Sequence, residues 1–386
     1  MLLSACGGSG GSDSPAKPSP TPPASADVQT LPLLPQGTHI SMIKGFNSAL
    51  PASTAAAMNA RWDEAVNAGM QVGRIQLDWA ELEPAPGEFD ETALLEPLED
   101  LESDGLKPFV VLSTIDSGSY TLPADLSDPD DPTRLAGGAA INDPAILRRF
   151  AALLDWLVPH ITAHGAWVLA VGNEPGSLIE DEPGQGDGLV DFLREARAHA
   201  HTLAPELAIT MTLNYDATQS GQSRHLDFLA NSDVASMNYY AADAQGLFEH
   251  HANVIHHEID DMLAMAGDKL LVLQELGAAS GYEHRPSPMG ASLQGQRLFF
   301  VTVFDRMRAE PRFRVAVIFQ LVDWNPELVE RLYSRPLLAA GVDPGYVERF
   351  AEALETTGLI RFTDGSSKPA WQVVLDEIAA HGARRH

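Results

Sequence analysis

Two carboxylates in this sequence follow short apolar runs and could be brought together by the fold. Asn173 and Glu174 end the run 168–172, and Glu275 ends the run 269–274. Apolar runs of this length, rich in small and branched residues, predict strands that are buried on both faces. Paired carboxylates suit acid–base and nucleophilic chemistry, because one can stay ionised while the other carries a proton.

Polar and aromatic residues near the ends of other predicted strands could support this pair. Arg74 and Tyr240 can both donate hydrogen bonds to Glu275, which would keep that carboxylate ionised and oriented. No cationic residue stands next to Glu174 at the strand ends, which suits a proton donor, and Trp324 offers a ring face for a sugar. The predicted substrate-binding or supporting residues are Arg74, Trp79, Asn173, Asn238, Tyr240 and Trp324.

The segments that carry these residues alternate between strand and helix patterns. The predicted strands cover 39–44, 72–79, 107–114, 168–174, 208–213, 233–240, 269–275 and 314–320. The predicted helices cover 52–68, 91–103, 144–164, 188–203, 225–230, 253–266, 293–309 and 369–380. This count predicts an α/β fold, the TIM (β/α)8 barrel, in which functional residues collect at the carboxyl ends of the strands.

Two further features bear on the fold prediction. A doubly wound open sheet is the alternative, but it usually has a glycine-rich phosphate loop after the first strand, and Gly45-Phe46-Asn47 is no such loop. Residues 323–364 predict an insertion between strand eight and helix eight, with its own helix over 346–355.

Charge and composition exclude some classes of partner. The chain has 386 residues, of which 53 are acidic and 25 basic, giving a net charge of −28. Nucleic acid and anionic membrane surfaces would be repelled by this charge, so neither is expected as a partner. A hydrophobic content of 45% allows a large core, and no apolar run of about 18 residues predicts a membrane span.

The first 36 residues predict a lipid-anchored tether. Cys6 is the only cysteine, and Leu3-Ser4-Ala5-Cys6-Gly7 resembles a bacterial lipobox, although the basic part of a signal is missing and the true start is expected upstream. Residues 7–36 are Gly/Ser-rich and then Pro-rich, which predicts a disordered linker before a catalytic barrel over 37–386. A chance cysteine is the alternative to an anchor in the bacterial cell envelope.

Two clusters of possible metal ligands are better explained without an ion. His250, His251, His256, His257 and Glu258 lack the spacing that would put ligands on one helical face. The acidic residues of the loop 125–131 alternate with proline and predict a hydrated loop. We therefore expect neither a metal nor a cofactor.

Several motifs resemble glycoside hydrolase clan A, a superfamily of (β/α)8 retaining glycosidases. The resemblance covers roughly residues 37–380. The motifs are Asn173-Glu-Pro175 at strand four, Asn238-Tyr-Tyr240 at strand six, Gln274-Glu-Leu-Gly277 at strand seven, Trp79-Ala-Glu-Leu-Glu-Pro-Ala-Pro-Gly-Glu-Phe-Asp90 after strand two, and Thr357-Gly-Leu-Ile-Arg-Phe-Thr-Asp-Gly-Ser-Ser-Lys-Pro-Ala-Trp371 before helix eight.

The resemblance implies a role for each carboxylate. Glu174 would be the acid/base and Glu275 the nucleophile of a retaining mechanism, with the carboxyl groups about 5–5.5 Å apart. The chain departs from many clan members at 113–116 and at Asn238, where a substrate-binding histidine is frequent. The expected substrate is a β-linked oligo- or polysaccharide. A non-catalytic carbohydrate-binding barrel and a metal-dependent hydrolase are the alternatives, while the sugar, endo or exo action and the oligomeric state stay open.

Overall fold

A computed structural model of the protein describes residues 31–45, 49–181, 183–215, 223–243, 246–248 and 251–383. Cys6, most of the predicted linker, Phe46, Asn47 and His250 lie outside the described residues, so the predictions for them are not tested by the structure. No helix in the described ranges is long and apolar enough to cross a membrane.

Eight parallel strands and eight principal helices form the predicted TIM (β/α)8 barrel. The strands are β1 (His39–Met42), β2 (Val72–Asp78), β3 (Lys107–Ser113), β4 (Val168–Asn173), β5 (Ala208–Asn214), β6 (Ala235–Tyr239), β7 (Leu271–Leu276) and β8 (Phe313–Ile318). The helices are α1 (Ala52–Ala68), α2 (Glu91–Ser103), α3 (Pro144–Ala163), α4 (Pro183–Leu203), α5 (Ser223–Asn231), α6 (Ala252–Ala266), α7 (Leu293–Ala309) and α8 (Pro369–Ala383). The fold prediction is confirmed.

The strands are hydrogen-bonded in the order β1-β8-β7-β6-β5-β4-β3-β2, so the barrel is nearly closed. At the remaining seam, between β1 and β2, the hydroxyl of Ser41 donates to the carbonyl of Val72 at 2.6 Å. Side chains of alternate strand residues fill the barrel interior, while the others pack under the helices.

The packed chain begins earlier than the predicted domain boundary at residue 37. Leu31 and Leu34 are buried in the hydrophobic cluster inside the barrel. The same cluster includes Val72 and Val168, which are the first residues of β2 and β4. The carbonyl of Gly37 accepts from the Arg314 guanidinium, which is also buried. The predicted linker is therefore wrong for 31–36, because two leucines in this proline-rich segment have apolar surface to cover at the amino-terminal end of the barrel.

Two loops contain more secondary structure than the sequence patterns indicate. The segment after β3 contains a small hairpin, in which Ile115–Asp116 pairs with Ser119–Tyr120. The predicted insertion after β8 is present and includes a longer helix, Pro344–Thr356, than the expected 346–355. Three further short helical segments precede that helix, namely Pro326–Val329, Glu330–Ser334 and Arg335–Ala339.

Candidate active site

An irregularity in β4 turns Asn173 toward the barrel mouth. Leu169 and Val171 belong to the outer cluster under the helices, so strict alternation would place Asn173 on that outer face. However, Ala170 pairs with Thr210 whereas Asn173 pairs with Thr212, so three residues of β4 advance against two of β5. Such a bulge reverses the parity of the side chains that follow it.

The next residue, Glu174, has a backbone conformation that is rare for a residue with a side chain. Its φ is 49°, in the left-handed region. Its N–H donates to the carbonyl of Thr212 at 2.9 Å, and its own carbonyl accepts from Gly118 at 2.9 Å. Neighbouring segments thus hold Glu174 in a strained conformation, which is a common feature of functional sites.

A second bulge, in β7, brings two consecutive side chains to the mouth. Between Leu273 and Leu276, β7 has one residue more than the facing segment of β8, and it is also out of step with β6. Gln274 donates from Nε2 to Oδ1 of Asn173 at 2.9 Å, across the barrel. Glu275 reaches the same region, and its charge interacts with that of Glu174.

Arg74 and Tyr240 both contact Glu275, as the sequence predicts. The distance from Arg74 Nη2 to Glu275 Oε1 is 3.3 Å, and the Tyr240 hydroxyl donates to Glu275 Oε2 at 2.5 Å. Burial and the two carboxylates raise the pKa of Tyr240, so its hydroxyl stays protonated and remains a donor.

Burial opposes the effect of these two contacts on the ionisation of Glu275. Burial raises the pKa of Glu275 to about 7, with a further contribution from the charge of Glu174, while Arg74 and Tyr240 lower it. Only 6% of Glu275 is exposed, so desolvation of the carboxylate outweighs one cation and one hydroxyl.

Neutral hydrogen-bond donors surround Glu174. Asn238 Nδ2 donates to Glu174 Oε1 at 2.8 Å, and Asn214 Nδ2 reaches the same oxygen at 3.4 Å. Ser117 donates to Oε2 at 3.3 Å. Glu174 is therefore oriented by amides and a hydroxyl, whereas Glu275 has a guanidinium and a phenol.

Both the oxygen and the nitrogen of the Asn173 side-chain amide are hydrogen-bonded. Its Oδ1 accepts from Asn238 at 3.1 Å as well as from Gln274, and its Nδ2 donates to Asp116 Oδ1 at 3.0 Å. Asp116 is the register partner of Asn173 in the hairpin after β3. Gln76 Nε2 donates to the other oxygen of Asp116 at 3.1 Å.

Two of the predicted site residues differ from expectation. Trp79 does not reach the mouth, because it opens a short helix, is fully buried against Phe150 and donates from Nε1 to Glu83 at 2.6 Å. Trp324 follows β8 as predicted but presents no open platform, since it is 7% exposed and packs edge-on to Tyr333.

Several residues of this network were not among the predicted site residues. Gln76 lies two positions after Arg74 on β2, so strand periodicity could have indicated that it faces the same way. Gln274 directly precedes Glu275, so the same periodicity would have placed it on the opposite face. Asp116 and Ser117 come from a hairpin that has no clear sequence signal. The additional residues are Gln76, Asp116, Ser117, Thr212, Asn214 and Gln274.

The described residues include no group of three or more side chains that could hold a metal ion. In the acidic loop, Asp125 pairs with Arg149 at 2.6 Å. Asp128 and Asp131 accept hydrogen bonds from backbone N–H groups two residues later in the same loop. Local hydrogen bonds thus hold this part of the loop.

Comparison with known proteins relates the chain to solved structures. No protein-family model and no curated protein matches the sequence. An exo-β-1,4-mannosidase from Opitutaceae bacterium strain TAV5 superposes with a TM-score of 0.64 at 16% identity, over 93% of this chain and 63% of the mannosidase. This chain thus spans less than two thirds of that protein.

Two further solved structures are similar over most of their own length. GH5_18 from Streptomyces cattleya, in complex with GlcNAc, gives a TM-score of 0.63 at 16% identity, over 91% of this chain and 82% of that one. The β-glucosidase 1317 gives a TM-score of 0.57 at 15% identity, over 89% of this chain and 98% of the glucosidase. At these identities the comparisons show that the chain has the (β/α)8-barrel fold of these proteins.

Proposed function

We propose that this protein is a retaining glycoside hydrolase that cleaves β-glycosidic bonds of an oligo- or polysaccharide. One observation carries the proposal: buried carboxyl groups at the ends of β4 and β7 interact with each other and have different donors. Glu275 has Arg74 and Tyr240, and Glu174 has Asn238. The similar barrels of a mannosidase and a glucosidase support this class of reaction.

In the first step, ionised Glu275 attacks the anomeric carbon and forms a glycosyl ester. The bond from that carbon to the leaving oxygen breaks, and Glu174 transfers its proton to the oxygen. Arg74 and Tyr240 orient the attacking carboxylate. As the ester forms, the negative charge of Glu275 is neutralised.

In the second step, Glu174 acts as a base. It takes a proton from water, the water oxygen bonds to the anomeric carbon, and Glu275 leaves as a carboxylate. Glu174 ends protonated, as it began. Two inversions at the same carbon give net retention.

Azide rescue tests the assignment of both carboxyl groups. With 2,4-dinitrophenyl β-glucoside and β-mannoside, Glu174→Ala should form its glycosyl-enzyme and yield the β-glycosyl azide, because azide enters as the second nucleophile. Glu275→Ala should give the α-azide by direct displacement.

Glu355→Ala is the matched control. Glu355 is a partly buried carboxyl group on the helix of the insertion. Burial raises its pKa to about 7, as it does for Glu275. The turnover of Glu355→Ala should equal that of the wild type. Unchanged turnover of Glu275→Ala, or azides of one configuration from both site variants, would contradict the proposal.

We also infer that Cys6 carries a lipid anchor and that the protein resides in the bacterial cell envelope. The support is the lipobox-like sequence followed by a Gly/Ser/Pro-rich segment. Processing in cells should be sensitive to globomycin and to Cys6→Ala. A mature form without lipid would refute the anchor.

A further inference from the structure

The insertion after β8 brings an additional tyrosine to the carboxyl pair. Tyr333 lies on Glu330–Ser334, with its ring edge-on to Trp324 at 5.8 Å and to Phe350 at 5.5 Å between centroids. These two buried rings hold the tyrosine ring in place. Tyr333 itself is only half-buried, and its hydroxyl bonds to no other residue within the described part of the chain.

Tyr333 packs against the buried cluster that includes Trp324 and Tyr240, and the Tyr240 hydroxyl donates to Glu275. Burial raises the pKa of the Tyr333 phenol, and the charges of Asp116 and Glu275 raise it further. The ring packing places Tyr333 on the Tyr240 side of the barrel mouth, and the charge interactions agree with that position. A protonated hydroxyl at this place is a hydrogen-bond donor at the mouth.

Asp116 supplies an acceptor in the same region. Its hydrogen bonds with described residues all come from uncharged groups, which are Gln76, Asn173 and Ser117. The Nη2 atom of Arg74 contacts Glu275 and Gln76. Asp116 is partly exposed and lies beside Asn173 at the barrel mouth.

We propose that Tyr333 and Asp116 select the sugar at this site: Tyr333 donates to one hydroxyl, Asp116 accepts from another, and the charge of Asp116 excludes sugars that carry a carboxylate. The inference rests on the proposed glycosidase function and adds a substrate class to it. The glycone is an uncharged sugar. An anionic glycone would meet the carboxyl groups of Glu174, Glu275 and Asp116, and the Arg74 guanidinium already contacts Glu275.

The test compares variants on a matched set of substrates. 4-Nitrophenyl β-glucoside and β-mannoside, their 3-, 4- and 6-deoxy analogues and the β-glucuronide would be assayed with wild type, Tyr333→Phe and Asp116→Asn. Tyr346→Phe is the control, since it also removes a tyrosine hydroxyl from the insertion. The Tyr346 ring stacks on Phe350, with 6.3 Å between the ring centroids.

Tyr333→Phe should lower kcat/KM for the preferred neutral glycoside about 5–10-fold, the value of one hydrogen bond. On one deoxy analogue it should equal the wild type, because the partner hydroxyl is already absent. Asp116→Asn should raise the glucuronide-to-glucoside ratio of kcat/KM at least about 10-fold. Tyr346→Phe should match the wild type throughout, and thermal melting would verify that each variant is folded.

The outcomes separate this inference from the proposed function. A wild type that hydrolyses neutral glycosides, with Tyr333→Phe equally active on every substrate and Asp116→Asn unchanged in selectivity, overturns the inference alone. A wild type that hydrolyses none of these glycosides counts against the proposed function, and the inference falls with it.

Discussion

At the scale of single residues, the balance of forces on Glu275 is the central feature of the site. Burial raises the pKa of this carboxyl group to about 7, although Arg74 and Tyr240 both favour its ionised form. The protonated form of Glu275 is therefore favoured relative to that of an exposed carboxyl group.

Tyr240→Phe should shift the acidic limb of the kcat/KM profile to higher pH. The Tyr240 hydroxyl lowers the pKa of Glu275, so losing it raises that pKa and reduces the ionised fraction at low pH. At pH about 6 we expect a loss of about 10–100-fold, as for a hydrogen bond to a charged group.

The measurement for this variant is the pH dependence of kcat/KM with a dinitrophenyl glycoside, whose leaving group needs little protonation. If the acidic limb of the profile stays in place or moves to lower pH, the Tyr240 hydroxyl does not lower the pKa of Glu275.

Glu275→Gln should stabilise the folded protein, and more so at alkaline pH. The native pKa of about 7 lies above the ordinary value of 4.5, so the native state binds the proton more tightly than the unfolded state. The stability of the wild type is therefore fully present below 4.5 and falls as pH rises toward 7. A neutral amide avoids this loss, which is about 3 kcal/mol.

Thermal melting at several pH values measures this effect. The melting temperature of Glu275→Gln should exceed that of the wild type by a few degrees at pH about 8 and approach it near pH about 4.5. The exposed Glu99→Gln is the control and should show no such trend. A constant difference across the pH range would contradict the raised pKa.

At the scale of elements, the sequence predicts the strands and helices better than the side-chain directions at their ends. The bounds of α1, α2 and α7 agree with the prediction at both ends, because amphipathic periodicity is local. The bulges in β4 and β7 depend on register with neighbouring strands, which one sequence does not show. The same limitation explains why Asp116 was not predicted. Trp79 is different, because β2 is regular and its alternation from Arg74 already turns Trp79 away from the mouth.

Gly277→Ala should damage the site through the element that follows β7. A Cβ there would lie 2.7 Å from the carbonyl oxygen of Phe319 and 3.0 Å from the ring of Tyr240. The added methyl group displaces Tyr240 from Glu275, so we expect a loss of about 1–3 kcal/mol in unfolding free energy and reduced kcat.

Gly184→Ala is the matched control for this substitution. It lies on α4, and a Cβ there would contact nothing within 4 Å. Its stability should be unchanged or slightly higher. Both variants would be compared by chemical unfolding and by turnover of an aryl glycoside; equal behaviour of the two would contradict the packing argument.

At the scale of the whole molecule, a buried ion pair joins the insertion to the barrel. Lys368, just before α8, contacts Asp323 at 2.6 Å and donates to Ser280 and to the carbonyl of Thr356, both at 2.9 Å. Asp323 also accepts from the N–H of Gly358 at 2.8 Å. This network fixes both ends of the insertion that carries Tyr333.

Lys368→Met should destabilise the protein by about 3–5 kcal/mol, because it leaves Asp323 buried without its cation. The double variant Asp323→Asn/Lys368→Met should lose less than Lys368→Met alone, since the amide removes the buried charge and still accepts from Gly358. Equilibrium unfolding in urea, followed by tryptophan fluorescence, measures both. A double variant that is less stable than the single one would contradict this account.

Covalent labelling tests the central claim most directly, because it identifies the nucleophile by mass. The protein would be incubated with activated 2-deoxy-2-fluoro β-glucoside and β-mannoside, digested, and its peptides analysed by mass spectrometry. We expect one 2-fluoroglycosyl group per molecule, attached to Glu275, and none in Glu275→Gln. A label on another residue, or no label from a glycoside whose parent sugar the protein hydrolyses, would contradict the account.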